Sequence, residues 1–232
     1  MINFIYGNSF GDRTDAIIKM IKKDSDASRR TFLIVPEQFA VTAERLSLTS
    51  LPLTAQLSLE ILSFSRLYNR VCREYGGLHY NYVTPPVKYA LMWKNLREIS
   101  PMLESYSEAA KKDGTFCDMA LAAVGEFKSS CIDAAELERA ASKLPQDSPL
   151  AKKLRDLALI YASYSGLVSQ TFTDSSDDIM KLSDVLEAHP FFEGASVYID
   201  GFTSFTAAEH RVIEKIFKSA SSVSIRDRKR VV

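Results

Sequence analysis

Ile2-Asn3-Phe4-Ile5-Tyr6 runs into Gly7-Asn8-Ser9-Phe10-Gly11-Asp12-Arg13-Thr14 and then into Ala16-Ile17-Ile18-Lys19-Met20. An apolar run, a glycine-bearing turn and a helical pattern, in that order, form the frame of a phosphate-binding P-loop. The full motif reads G-x-x-x-x-G-K-[ST]. Backbone N–H groups cradle the phosphates at a helix N-terminus, and the lysine reaches the outer ones. Counted from Gly7, the second glycine falls on Asp12 and the lysine on Arg13, while Thr14 keeps the hydroxyl. A carboxylate at Asp12 repels phosphate and its Cβ blocks the tight turn. The planar guanidinium of Arg13 is no equivalent of a lysine ammonium. The frame survives with altered chemistry, and a plain strand–turn–helix corner is the alternative reading.

Outward from this stretch, residues 2–6 are expected to form a buried strand, with a helix from Thr14 to about Lys23. Thr31 to Val35 reads as a second strand stopped by Pro36. A helical pattern follows from Glu37, with Phe39, Ala43 and Leu46 at spacings of four and three. Leu57 to Phe64 reads as a third strand, interrupted by Glu60. Ser65 is the expected cap of a helix carrying Leu67, Val71 and Tyr75, which Gly76-Gly77 ends. The alternation β-α-β-α-β-α is that of a parallel sheet with crossover helices.

Beyond Pro85-Pro86 the pattern changes. Helical periodicities cover 87–99, 116–131, 134–144, 150–170 and 176–188, and no strand is legible up to Leu186. In the fourth, Leu154, Leu157, Tyr161, Tyr164 and Val168 share a stripe. Asp133 and Ser148 stand where N-caps belong. A strand returns at Ala195 to Asp200, Thr206 caps a further helix, and Ser222 to Ile225 forms the last strand. The expected organisation is an α/β domain from 1–85 and 187–232, interrupted by an inserted helical subdomain at 86–186. The ending at Arg226-Asp227-Arg228-Lys229-Arg230, directly after a strand, reads as that of a piece of something longer, and its basic residues as a solvated tail.

Composition narrows the chemistry. The formal net charge is zero, so nucleic acid would have to meet a local patch. The three cysteines are widely spaced and form no C-x-x-C pair, which argues against a disulfide framework or metal cluster and for a reducing cytoplasm. No signal peptide or membrane-spanning run is legible. His79, His189 and His210 are scattered and read as surface residues. Asp174 to Asp178 reads as an acidic helix start rather than a metal site, and Trp93 as core of the helical block. Asp200, at the end of an apolar strand, is a candidate Mg²⁺ ligand, but Gly201 after it offers no base. A strand-end aspartate bonding its own turn is the alternative. Pro36-Glu37-Gln38-Phe39 lies where open α/β sheets bind ligands, at the carboxyl end of a strand.

Four stretches in this order carry a resemblance: Phe4 to Gly7, Leu33 to Phe39, Leu62 to Leu67, and Ile199 to Thr206. The chain resembles the N-terminal region of the B subunit of the bacterial AddAB (RexAB) helicase–nuclease, itself similar to superfamily 1 helicases. The resemblance implies a P-loop NTPase-like α/β fold, of the superfamily 1 helicase domain 1A type, with a parallel sheet and an inserted all-helical subdomain. It implies degenerate nucleotide-binding positions at Gly7, Gly11, Arg13, Thr14 and Asp200. It places DNA contacts at Glu37, Gln38, Phe39, Ser63, Ser65 and Arg66. The implied partners are DNA and an AddA/RexA-like helicase–nuclease subunit, in double-strand-break repair and recombination. ATP and Mg²⁺ would be the motor's cofactors, although Asp12 and Gly201 each remove something hydrolysis needs. The family's iron–sulfur cluster and nuclease residues match nothing in this chain, which on this reading is inactive alone. A residual P-loop ATPase and a purely structural scaffold remain the alternative readings.

Overall fold

The computed structural model describes residues 1–5, 10–26, 29–78, 81–112 and 114–226, with side chains at all of these except 10–15 and 25–26. It divides into two compact units, Met1–Leu78 with Asp178–Val232, and His79–Asp177.

In the first unit, strands β1 (Ile2–Ile5), β2 (Thr31–Ile34), β3 (Leu59–Leu62), β4 (Ser196–Ile199) and β5 (Ser222–Arg226) form one sheet of order β1-β5-β4-β2-β3. Every pairing is parallel. β2 and β4 are buried at every position, as continuous apolar strands covered on both faces should be. One face packs Leu33, Val35 and Tyr198 against Ile17 and Ile21 of α1 (Phe10–Asp26) and Ala55 of α3 (Leu53–Ser58). The other face sets Phe32, Ile34, Val197 and Ile199 against α4 (Phe64–Tyr75), α10 (Asp178–Ala188) and α11 (Ala207–Ser219). Tyr198 also donates to Asp24 Oδ2 at 2.7 Å, tying the end of α1 to the sheet. Burial, and then that bond to a carboxylate, raise the Tyr198 phenol above its ordinary value.

Chain direction reverses within this sheet. From β2 the chain passes through α2 (Ala40–Ser50) and α3 to β3 on one side, and from β4 through α11 to β5 on the other. The reversal opens a crevice at the carboxyl ends of β2 and β4, the usual binding place of open parallel sheets.

Several expectations need correction. β1 is not buried: it is an edge strand among the described residues, with Ile2 49% and Phe4 58% exposed. Glu60 does not break β3, because that edge strand lets its carboxylate reach Arg70 at 2.8 Å. The cap of α4 is Ser63, which accepts from the Arg66 N–H at 3.2 Å and stands two residues before the expected Ser65 cap. Of the expected stripe, Phe39 and Ala43 are only half-buried and Leu46 is exposed; the buried residue of α2 is Ala40.

The helical unit holds α5 (Pro85–Ile99), α6 (Ser107–Lys112), α7 (Gly114–Ser129), α8 (Ala134–Ser142) and α9 (Pro149–Ser169). Its core joins Met92, Leu96, Phe116, Ala120, Ile160 and Tyr164. α9 is packed by both α5 and α8, so Ile160 and Ala158 are buried besides Tyr164 and Val168, while Leu154, Leu157 and Tyr161 are only partly so. Asp133 makes the expected cap as a full capping box with Glu136. Buried Asp156 accepts the N–H groups of Glu104, Ser105 and Tyr106 at 2.7–3.0 Å and so organises the approach to α6, a helix too short to be legible in sequence. The unit ends at Asp177 rather than at 186, because α10 packs on α4 and α11 of the first unit.

Asp174 is more than a helix start. Lys88 reaches its Oδ1 at 2.6 Å and Lys128 its Oδ2 at 2.9 Å, and Lys128 also meets Asp177 at 2.7 Å. Cys117 is buried too, and burial pushes its thiol up to about 11, so it stays protonated at neutral pH.

Candidate nucleic-acid interface

The crevice at the sheet reversal is a cleft of about 300 Å³ lined by residues of three strand exits. Val35, Pro36, Glu37 and Gln38 follow β2, Ser63 to Ser65 follow β3, and Gly201 to Ser204 follow β4. Glu209 of α11 and Ile179 of α10 close the remaining sides.

Each wall has a local cause. Pro36 stops β2 with φ −56° and ψ 147°, and Glu37–Phe39 forms a 3₁₀ turn that presents Glu37 and Gln38 to solvent. Ser63 and Thr206 cap α4 and α11, so two helix N-termini face the cleft side of the sheet. The partial positive charge of such ends favours an anionic group. Gly201 has φ +84°, and a Cβ there would stand 3.2 Å from Pro36 Cδ and 3.6 Å from the Phe39 ring. The residue read in sequence as a missing base is therefore a turn that must be glycine for the β4 exit to pass under the β2 exit. Gly201→Ala is expected to lower stability by about 1–2 kcal/mol, the cost of a left-handed alanine. Urea unfolding measures it, and an unchanged midpoint would contradict the assignment.

Aromatic rings give the cleft a flat apolar side. Phe64 and Phe202 meet edge to face at 5.5 Å, and Phe202 and Phe205 lie 4.8 Å apart. Phe64 is buried, whereas Phe202 is half-buried. The uncharged polar residues of the lining are Gln38, Ser63, Ser65, Thr203 and Ser204. The two acids at the cleft are partly offset. Arg66 stands 3.6 Å from Glu37 while bonding Glu44 at 2.7 Å, and Glu209 accepts the Thr206 N–H at 2.8 Å. Among the described residues no lysine or arginine lines the cleft.

Of the DNA-contact residues expected from sequence, Glu37, Gln38, Ser63 and Ser65 line this cleft together. Phe39 and Arg66 are not part of the lining; Phe39 stands beside Gly201, and Arg66 beside Glu37. Sequence reasoning misses Phe64, Phe202, Thr203, Ser204 and Glu209, although two of the stretches carrying the resemblance contain them all but Glu209. The nucleotide candidates fare differently. Gly7 lies outside the described residues. Gly11, Arg13 and Thr14 fall in the first turns of α1, and the side chains of Arg13 and Thr14 lie outside the description. Asp200 forms an ion pair with Arg226, whose side chain is only 8% exposed. Arg226 is thus no part of a solvated tail, and Arg228, Lys229 and Arg230 lie outside the described residues. Of the histidines, His189 stacks on Tyr75 and His210 is exposed, and His79 lies outside the description.

These features define a parallel α/β protein with a strand-end cleft at a chain reversal, joined to a helical unit. Residues 4–227 match the family model described as ADDB, N-terminal, and the chain belongs to that family. It is 36% identical over 97% of its length to the B subunit of the ATP-dependent helicase/deoxyribonuclease of Caldanaerobacter subterraneus subsp. tengcongensis, and 31% identical over the same share to the protein of that name from Acetivibrio thermocellus. It covers 19% and 20% of those proteins, so it spans about a fifth of the curated relatives it matches. No helix among the described residues is long and apolar enough to cross a membrane.

Proposed function

We propose that the chain is a P-loop NTPase-like module of an AddB/RexB-type protein, and that its strand-end cleft binds single-stranded DNA. The observation that carries the reading is the convergence of three strand exits, two helix N-termini and an aromatic wall on one cleft. Ser65, Thr203 and Ser204 hydroxyls, with the free N–H groups at the start of α4, suit phosphate oxygens. The half-buried face of Phe202 suits a stacked base, which an intact duplex would not expose. In the parent enzyme of double-strand-break repair and recombination, this module would hold the strand beside an AddA/RexA-like partner. The relatives are B subunits by name, which supports such a partner. Hydrolysis is not assigned to the module, because Asp200 is engaged by Arg226 and Gly201 is held by its turn.

Fluorescence anisotropy with labelled single strands, blunt duplex and tailed duplex tests this reading. Single-stranded and tailed DNA are expected to bind in preference to blunt duplex. Since no lysine or arginine lines the cleft among the described residues, log K should fall only shallowly with log salt, with a slope between about −1 and zero. Equal affinity for blunt duplex, or a steep salt dependence, would contradict it. Co-purification with an AddA-like chain in the absence of DNA tests the docking role separately.

A further inference from the structure

Asp200 and Arg226 stand side by side for a topological reason. The register pairs Ile199 of β4 with Ile225 of β5, so the next residue of each strand emerges at the same level of the sheet. The Arg226 guanidinium then meets the Asp200 carboxylate through Nε, with the two side chains only 8% and 16% exposed. On its other side Arg226 pairs in register with Ile5, the last residue of β1. In P-loop hydrolases a strand-end aspartate of this kind holds Mg²⁺ against nucleotide phosphates.

The residues present do not fit that ion. Mg²⁺ requires near-octahedral oxygen coordination, and Asp200 is followed by Gly201, which adds no ligand. A divalent ion taking Asp200 would also have to break its buried ion pair with Arg226, a costly change. We infer that Arg226 is a tethered substitute for the divalent cation, neutralising Asp200 from within the sheet and keeping this strand end metal-free. The inference concerns the β4–β5 end and stands whether or not the neighbouring cleft binds DNA.

Manganese broadening of amide signals in ¹H–¹⁵N spectra of the 232-residue chain tests it, because a paramagnetic ion at Asp200 would erase the Gly201 amide signal even when bound weakly. In the wild-type chain, Gly201 is expected to broaden no more than exposed acidic surface. In Arg226→Gln, it is expected to be lost selectively, and Asp200→Asn in the same background should restore it. Arg226→Lys covers the case in which the glutamine variant does not fold. Its ammonium keeps a positive charge at this strand end but not the Nε contact with Asp200, so Gly201 should be lost at higher manganese. Selective loss in the wild type would overturn the inference, as would an unbroadened Gly201 in both Arg226 variants.

Discussion

Asparagine in place of Asp174 is expected to destabilise the helical unit by about 3 kcal/mol, the lower end for removing one member of a buried ion pair. The side chains of Asp174 and Lys128 are 4% and 7% exposed, and the substitution leaves Lys128 with Asp177 alone. Burial by itself would raise the Asp174 carboxyl. The bonds from Lys88, the Ser176 N–H and Lys128 outweigh it and hold the group well below the usual carboxylate range. For Lys128, burial would lower the value, and Asp177 and Asp174 outweigh that and raise it. The signs fix the pH window. A depressed carboxylate stabilises above its unfolded value of 3.8 and loses that contribution as pH falls through the folded value. A raised lysine stabilises below its unfolded value of 10.5 and loses it as pH rises through the folded value. Wild type should therefore exceed Asp174→Asn in denaturant midpoint across neutral pH, and the gap should close in acid. A constant gap down to the acid limit would contradict the assignment.

The second large effect is on DNA. Phe202→Ala is expected to weaken single-strand binding by about 5- to 150-fold, the range implied by about 1–3 kcal/mol for one stacked base. Because Phe202 also packs on Phe64 and Phe205, Phe202→Leu is the informative companion. It keeps apolar volume and removes the flat face, so it should stay folded by circular dichroism and still lose most of the affinity. Wild-type affinity in the leucine variant would show that the ring is structural only.

Much of the sheet can be read from its punctuation. Pro36 ends β2, Gly76 ends α4 with φ 90°, and Thr206 with Glu209 makes the capping box that starts α11. These are local devices, and their chemistry is visible one residue at a time. The exposure of β1 is not legible, since an apolar run of that kind does not reveal whether it lies at a sheet edge. Nor is the role of Arg226, whose partner is 26 residues away and meets it only because β4 and β5 are neighbours in register. The same holds for the cleft. Glu37, Gln38, Ser63 and Ser65 can be picked out at strand ends, but Phe202 becomes a wall only when the chain reversal brings the β4 exit beside the β2 exit. Asp174 misleads for a related reason: its acidic surroundings resemble a helix start, and the two lysines that claim it come from α5 and α7.

Single-stranded DNA lying in the strand-end cleft would be caught there by photo-crosslinking with 5-iodouracil placed along a labelled single strand. The expected adducts fall on the peptide carrying Phe202 and Phe205, and they disappear when unlabelled single strand competes. Adducts confined to peptides outside the cleft, with residues 201–205 unmodified, would contradict the account.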